Sequence, residues 1–381
     1  MSVIRFCTRC VLPFCLSLTS TMLAAELSPQ GRLLFLGIAY DEAPAPGTSI
    51  DNYNYAPDNF IRLFQSQSKT LFSEIKISTL KGLRATKPAV GEQLYQLQRI
   101  AKAEDLVLIY WGTHGGTNKK GWGANLPGDQ VIYGTEIKQV LSALPCPAIV
   151  LISTCGSGGF VRTRPGEIDL PANVAAAAAC GRRKGASNEL GVAMLEAISG
   201  FADFDADGKV TLGEALRYLP QRYQEFFRNE SGDDLVPVLH RPESVNADIV
   251  LAKVEDTHVA AVVTGSWYGA TITERLTGKA KVRFLGYDST SSRGSYAMAD
   301  QVLDDEYLDF AGGMPPAEVE SEGQWYPARI LDRRQGSWKI HYIGFPASDD
   351  EMVPRKRIRF SFAGVPPESR RKTKKSPQGG Q

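Results

Sequence analysis

Two side chains in this sequence stand where nucleophilic chemistry is possible. Cys155 closes the apolar run Ala148-Ile149-Val150-Leu151-Ile152-Ser153-Thr154 and opens the glycine-rich stretch Gly156-Ser157-Gly158-Gly159. His114 closes Leu106-Val107-Leu108-Ile109-Tyr110-Trp111-Gly112-Thr113 and is followed by Gly115-Gly116. Of the four histidines (His114, His240, His258, His341), only His114 directly follows a buried-looking strand. A thiol and an imidazole on neighbouring loops form a nucleophile with an acid/base, and a protonated imidazole favours the thiolate. The flanking glycines let a carbonyl approach the backbone, so the amides of Gly115 and Cys155 are the candidate oxyanion donors. Cys146 and Cys180 lack the glycine context and read as core thiols.

A second constellation has oxygen chemistry. Asp203, Asp205, Asp207, Gly208, Val210 and Glu214 match the spacing of an EF-hand loop. The carboxylates of Asp203, Asp205, Asp207 and Glu214 and the carbonyl of Lys209 are the candidate Ca2+ ligands, with Thr211 acting through water and Gly208 permitting the sharp turn. Apolar residues at helical spacing flank the loop: Met194, Leu195 and Ile198 before it, Leu216, Leu219 and Tyr223 after it. The expected role of the ion is structural, and no organic cofactor is expected.

Short apolar runs alternate with helical periods to position these groups. Strands are expected at Leu33–Ile38, Ile75–Leu80, Leu106–Trp111, Ala148–Ile152, Val174–Ala179 and Ile249–Ala252. Val90, Leu94, Leu97 and Ala101 share one helix face, as do Ile137, Val140, Leu141 and Leu144, with starts expected at Thr86-Lys87-Pro88 and at Thr135. This order predicts an α/β fold, a mostly parallel sheet sandwiched by helices, with reactive groups at the carboxyl ends of its strands. The second half repeats itself at an offset of 58: Gly265-Ser266-Trp267-Tyr268-Gly269-Ala270 aligns with Gly323-Gln324-Trp325-Tyr326-Pro327-Ala328, and Val282, Phe284 and Tyr287 with Ile340, Tyr342 and Phe345. Two small, strongly bent all-β barrel modules are expected, at 259–302 and 317–358.

The order strand, His114-Gly115, helix, strand, Cys155 resembles that of the caspase-like cysteine peptidases, which include caspases, metacaspases and legumains. The resemblance spans residues 30–254 and includes Tyr55-Ala56-Pro57-Asp58-Asn59 in an early helix and Arg84-Ala85-Thr86 before the next. It implies a caspase-haemoglobinase fold, peptide-bond hydrolysis, and His114 and Cys155 as the catalytic dyad. Many members carry an acid two residues before the cysteine, which helps a basic substrate side chain bind, whereas this chain has Ser153; nor is the cysteine followed by the arginine and glycine of caspases. Neither basic nor aspartate specificity is therefore implied. The segment 162–169 reads as a surface connection with the polarity suited to self-cleavage. The repeats resemble Tudor, Agenet or chromo-barrel modules, which implies possible aromatic cages for a methylated cation. The candidate walls are Trp267, Tyr268, Phe284 and Tyr287, and Trp325, Tyr326, Tyr342 and Phe345.

The formal net charge is +1, from 43 Lys and Arg against 42 Asp and Glu, so no nucleic-acid partner is expected. Residues 1–25, with Arg5 and Arg9 before an uncharged run ending Leu23-Ala24-Ala25, read as a signal peptide too short to span a bilayer. A secreted or periplasmic location without an integral membrane span is expected. The basic segment 364–381 reads as a disordered tail. The expected function is a cysteine endopeptidase acting on a peptide or protein, whose β modules recruit a protein or envelope partner. The alternatives are a catalytically silent scaffold acting through its repeats and peptide ligation by the same acyl-enzyme.

Overall fold

The computed structural model describes residues 31–40, 56–66, 70–186, 188–205, 207–226, 236–254, 258–263, 266–287, 298–304, 308–309, 317–334, 337–342, 345–354 and 357–360. The expected signal peptide and basic tail lie outside the described residues.

The α/β unit begins with β1 (Leu33–Tyr40), α1 (Ala56–Ser66), β2 (Ile75–Lys81), α2 (Lys87–Ile100) and β3 (Leu106–Thr113). A meander of β4 (Gly115–Asn118), β5 (Gly121–Leu126) and β6 (Gln130–Tyr133) comes next, then α3 (Gly134–Leu141), β7 (Ala148–Ser153), α4 (Gly158–Val161) and β8 (Val174–Ala178). The unit closes with α5 (Glu189–Glu196), β9 (Lys209–Thr211), α6 (Leu212–Phe226), β10 (Val238–His240) and β11 (Val250–Lys253). Its sheet has the order β10-β8-β7-β3-β1-β2, parallel except for the outer strand β10. Every residue of β1, β3 and β7 is buried, which is why these segments read as unbroken apolar runs. Leu106, Leu108, Tyr110, Ile149 and Leu151 pack with α1, α5 and α6 on one face. Val107, Ile109, Trp111, Val150 and Ile152 pack with α2, α3 and the meander on the other.

The local signals act as expected at α2, where the Thr86 hydroxyl accepts from the Ala89 amide at 3.4 Å and Val90, Leu94 and Leu97 are buried. Two expectations are corrected. The third helix begins at Gly134 rather than Thr135, because the Glu136 carboxylate reaches back to accept the Tyr133 amide at 2.9 Å. The apolar segment near Ile249–Ala252 is a strand but not one of the main sheet; as β11 it pairs antiparallel with β9 in the acidic loop.

The two repeats form separate antiparallel sheets of the same order. The first contains β12 (His258–Val263), β13 (Ser266–Leu276), β14 (Lys279–Phe284), β15 (Gln301–Asp304) and β16 (Leu308–Asp309), arranged β15-β14-β13-β12-β16. The second contains β17 (Ala317–Ser321), β18 (Gln324–Arg334), β19 (Ser337–Tyr342), β20 (Glu351–Pro354) and β21 (Ile358–Phe360), arranged β20-β19-β18-β17-β21. The long strand of each slips register at the same place, between Ile272 and Glu274 and between Ile330 and Asp332. A bulge there bends the strand so that one short sheet can curl over its own core. The first module extends beyond residue 302 and the second beyond 358, because β16 pairs with β12 and β21 with β17.

The first module shares its core with the α/β unit. Val192 of α5 is buried among Val259, Ala261, Ala270, Val282 and Phe284. Glu196 of α5 binds Arg222 of α6 through two contacts, at 2.6 and 3.0 Å, and accepts the Tyr218 hydroxyl at 3.2 Å. The same carboxylate accepts the Gly269 amide of β13 at 3.2 Å, so its charge is matched and its lone pairs are used. At Gly286, φ is +75° and an added Cβ would fall 2.8 Å from the Val192 side chain. Gly286→Val is expected to lift the first module off α5 and cost about 2–3 kcal/mol. A fall in Tm with faster proteolysis between β11 and β12 is the expected readout; an unchanged Tm would show that this contact does not form.

Candidate active site

Parallel pairing of β3 with β7 sets Gly112 opposite Ser153, so His114 and Cys155 each stand two residues beyond one register pair. Neighbouring strands lie about 4.8 Å apart, and the alternation of the strands, if continued past their ends, would direct both residues to the sheet face covered by α1 and α5. Thr113 and Thr154 turn to the opposite face. Cys155 is half-buried and His114 exposed.

The loops that carry them touch. The Thr117 hydroxyl donates to the Gly156 carbonyl at 3.0 Å. Gly156 has φ +63°, and an added Cβ would lie 3.0 Å from the Arg182 carbonyl and 3.1 Å from Gly116 Cα. Only glycine combines that backbone with that crowding. Gly115 packs against the residue before the thiol, since a Cβ there would lie 3.2 Å from Thr154 Oγ1.

The same arrangement holds both strand ends. Trp111 Nε1 donates to Thr113 Oγ1 at 3.1 Å, and that hydroxyl donates to the His114 carbonyl at 2.8 Å. Trp122 Nε1 donates to Thr154 Oγ1 at 3.0 Å, and that hydroxyl donates to the Cys155 carbonyl at 3.1 Å. Both threonines are fully buried, and the two indoles meet edge to face with centroids 6.2 Å apart. Each hydroxyl thus uses its donor on the carbonyl and a lone pair on the indole, a satisfied buried chain that fixes where the turn begins.

A third segment wraps the thiol. The Gly156 amide donates to the Lys184 carbonyl and the Gly158 amide to the Cys180 carbonyl, both at 2.8 Å. The Ala186 amide points at Cys155 Sγ from 3.5 Å. The thiol in turn donates to the Ala186 carbonyl at 3.6 Å, so one residue meets the sulfur from both of its backbone polar groups. Arg182, in the same segment, binds Glu167 at 2.7 and 3.1 Å and the Arg162 carbonyl at 2.6 Å. That bond holds the Glu167 carboxyl down at about 2. The Lys138 ammonium donates to the Ile168 carbonyl at 2.8 Å, so the 162–169 segment is tied at both ends. At the end of β7, Ser153 hydrogen-bonds Tyr110, whose hydroxyl donates to Asn188 at 2.5 Å; burial, with the nearby Glu189 carboxylate adding to it, pushes the Tyr110 phenol up. The other described thiols are free but buried, and burial pushes Cys146 up to about 11 and raises Cys180.

The sequence pointed to His114, Gly115 and Cys155 but missed Trp111, Trp122, Thr113, Thr154, Ala186, Asn188 and Tyr110. The available signal was a threonine directly before each reactive residue.

In the acidic loop, Asp203, Asp205 and Glu214 each bring an oxygen to within 4.8 Å of the others. Asp207 is not part of this cluster; its carboxylate accepts the Lys209 amide at 2.8 Å. Glu214 also caps α6, accepting the Thr211 amide and hydroxyl at 2.9 Å and, on its other oxygen, the Phe204 amide at 2.9 Å. The donor set is entirely hard carboxylate oxygen, which fits Ca2+ better than a soft metal.

The expected cage residues lie in two clusters. Tyr268 meets Phe284 and Tyr287 edge to face at 5.9 and 5.6 Å. Tyr326 meets Tyr342 and Phe345 in the same way at 6.0 and 5.8 Å. Phe284, Tyr287 and Tyr342 are buried, so those rings belong to the cores of their modules, whereas Phe345 is 41% exposed. The Trp267 side chain lies outside the described residues, and Trp325 points to the surface, 38% exposed. Among the described residues no helix is long and apolar enough to cross a membrane.

No protein-family model matches the sequence, and comparison with curated protein sequences finds no match. Among the solved structures similar to the chain is caspase-1 from Spodoptera frugiperda. The match covers 59% of this chain and 92% of that one, at 14% identity and a TM-score of 0.40.

Thr154→Val removes the hydroxyl at nearly constant shape, leaving the Trp122 indole and the Cys155 carbonyl without their partner. The expected cost is about 1–2 kcal/mol of stability, with severalfold slower alkylation of Cys155 by iodoacetamide, while Thr154→Ser keeps both properties. Equal alkylation rates in all three proteins would show that this hydroxyl does not position the thiol.

Proposed function

We propose that this protein is a cysteine endopeptidase of caspase-like design in which Cys155 and His114 form the dyad. The observation that carries the reading is the shared register: both residues stand two steps beyond the Gly112–Ser153 pair, on loops in contact. The thiol proton passes to the His114 imidazole as Cys155 Sγ bonds to the scissile carbonyl carbon. The oxyanion lies toward the amides of Gly115 and Cys155. The C–N bond then breaks, the imidazolium returns its proton to the leaving amine, and water hydrolyses the thioester with His114 as base.

The second β module is the recruiting one in this reading. The first is committed to α5, whereas the second carries Trp325, Phe345 and Met352 about 40% exposed, surface suited to a protein or envelope partner. A secreted or periplasmic location accords with the character of residues 1–25.

A cysteine-directed electrophilic peptide is expected to label wild-type protein at Cys155. Hydrolysis of a fluorogenic peptide library should fall at least ~1,000-fold in Cys155→Ala and fall strongly in His114→Ala. Absence of labelling and turnover in folded wild-type protein would leave the silent-scaffold reading; recovery of ligated rather than hydrolysed peptide would assign transfer to an amine.

We further propose that the acidic loop binds Ca2+ structurally, through Asp203, Asp205 and Glu214. Ca2+ at about 100 times its Kd is expected to stabilise the protein by about 2.7 kcal/mol and raise Tm. Asp205→Asn, which leaves the helix cap intact, should remove that response; a Ca2+-independent Tm in wild type would refute the site.

A further inference from the structure

Cys180 is fully buried in the segment that wraps Cys155, and its sulfur lies against the backbone of Cys155 from both sides. The Cys180 thiol meets the Thr154 carbonyl, on the peptide bond before Cys155, at 3.6 Å, and the Gly156 amide, on the peptide bond after it, hydrogen-bonds the same sulfur. Peptide geometry sets a carbonyl oxygen about 2.8 Å from the next Cα, so the Cys180 sulfur is within about 6.4 Å of the Cys155 Cα. Residues 184–186 then line both sulfurs. The Lys184 carbonyl accepts the Cys180 thiol at 3.1 Å, a Cβ on Gly185 would lie 4.0 Å from Cys155 Sγ, and the Ala186 amide reaches that Sγ at 3.5 Å. Burial raises the Cys180 thiol, and the Cys155 sulfur raises it further, an electrostatic effect that requires proximity. Cys146 is placed differently: it precedes β7 and Cys155 follows it, so the six residues of that strand, about 20 Å of extended chain, stand between them. Among the described thiols, Cys180 is the one beside Cys155.

We propose that Cys155 and Cys180 are a redox pair: a hydroperoxide oxidises the half-buried Cys155, and Cys180 then closes an intramolecular disulfide with it. In the first step the Cys155 sulfur attacks a peroxide oxygen and the O–O bond breaks. Cys155 becomes a sulfenic acid, and the hydroperoxide is reduced to water or an alcohol. In the second step the Cys180 sulfur bonds to the Cys155 sulfur and displaces its hydroxyl, which leaves with the Cys180 proton as water. The two thiols together lose two electrons and two protons, which the hydroperoxide takes up. Disulfides span Cα separations of roughly 4.4–6.8 Å, a range compatible with the contacts on either side of Cys155. The bond occupies the sulfur that faces Ala186 until a reductant releases it, and it keeps Cys155 from the irreversible sulfinic and sulfonic acids. The pair does not depend on the peptidase reading, because oxidation of the thiol needs no peptide substrate.

Treating the folded full chain with H2O2 and mapping its cysteines by mass spectrometry without reductant tests the pair. The expected product is a peptide linking Cys155 to Cys180, from which dithiothreitol restores both thiols. In Cys180→Ala, dimedone should trap the Cys155 sulfenic acid at least ~tenfold more than in wild type, with overoxidation to the sulfinic acid following. Cys180→Ser should behave in the same way, so that a packing defect in one variant does not decide the outcome, and Cys146→Ala should form the link like wild type. The proposal is overturned if oxidised, folded wild-type protein carries Cys155 as a sulfinic acid beside a free Cys180 thiol, or if Cys155 joins a cysteine other than Cys180. It is equally overturned if Cys155 stays a thiol at a peroxide concentration that oxidises a free cysteine peptide. Peptide hydrolysis is not part of this readout, so failure here and failure of the peptidase reading are distinguishable.

Discussion

The parallel pairing of β3 with β7 is the constraint on which the candidate site depends. Slipping that register by one residue would turn one reactive side chain to the opposite face of the sheet, because side chains alternate with a period of two. Slippage is costly here. Val107, Ile109 and Trp111 on β3, and Val150 and Ile152 on β7, are packed into one layer while their alternates fill the other. The hydrophobic effect that holds the sheet between its helices therefore also sets where the thiol and imidazole emerge.

Beyond the strand ends, hydrogen bonding in a dry environment governs the path of the chain. Burying a threonine hydroxyl at each strand end is tolerable because each has both an indole donor and a carbonyl acceptor. The twin arrangement makes the turns begin at equivalent points, and the segment wrapping Cys155 closes the site from the third side. The Arg182–Glu167 pair ties that segment to the 162–169 connection.

The repeats illustrate how one small fold serves two surroundings. Both sheets have the same order and bulge at equivalent residues. They diverge at the contact with α5. Gly269, whose amide meets Glu196, is replaced at the corresponding position of the second repeat by Pro327, which has no amide hydrogen to donate and a ring where close approach is required. The second module therefore cannot make this contact, and its aromatic surface remains open.

Much of the layout was legible in the residues alone. Continuous apolar runs named the buried strands, three-and-four spacing named the helices, and glycines beside His114 and Cys155 marked loops of close approach. These are local properties, set by backbone geometry and by which side chains avoid water. The sequence also disclosed the acidic loop, but not that Asp207 would turn to the Lys209 amide while Glu214 capped α6. It could not show that the segment at Ile249–Ala252 leaves the main sheet to pair with β9, since a short apolar run suits either partner. Nor could it place Ala186 against the thiol or Trp122 beneath Thr154. Those contacts join residues distant along the chain, and only the packing of complete elements decides which side chains meet.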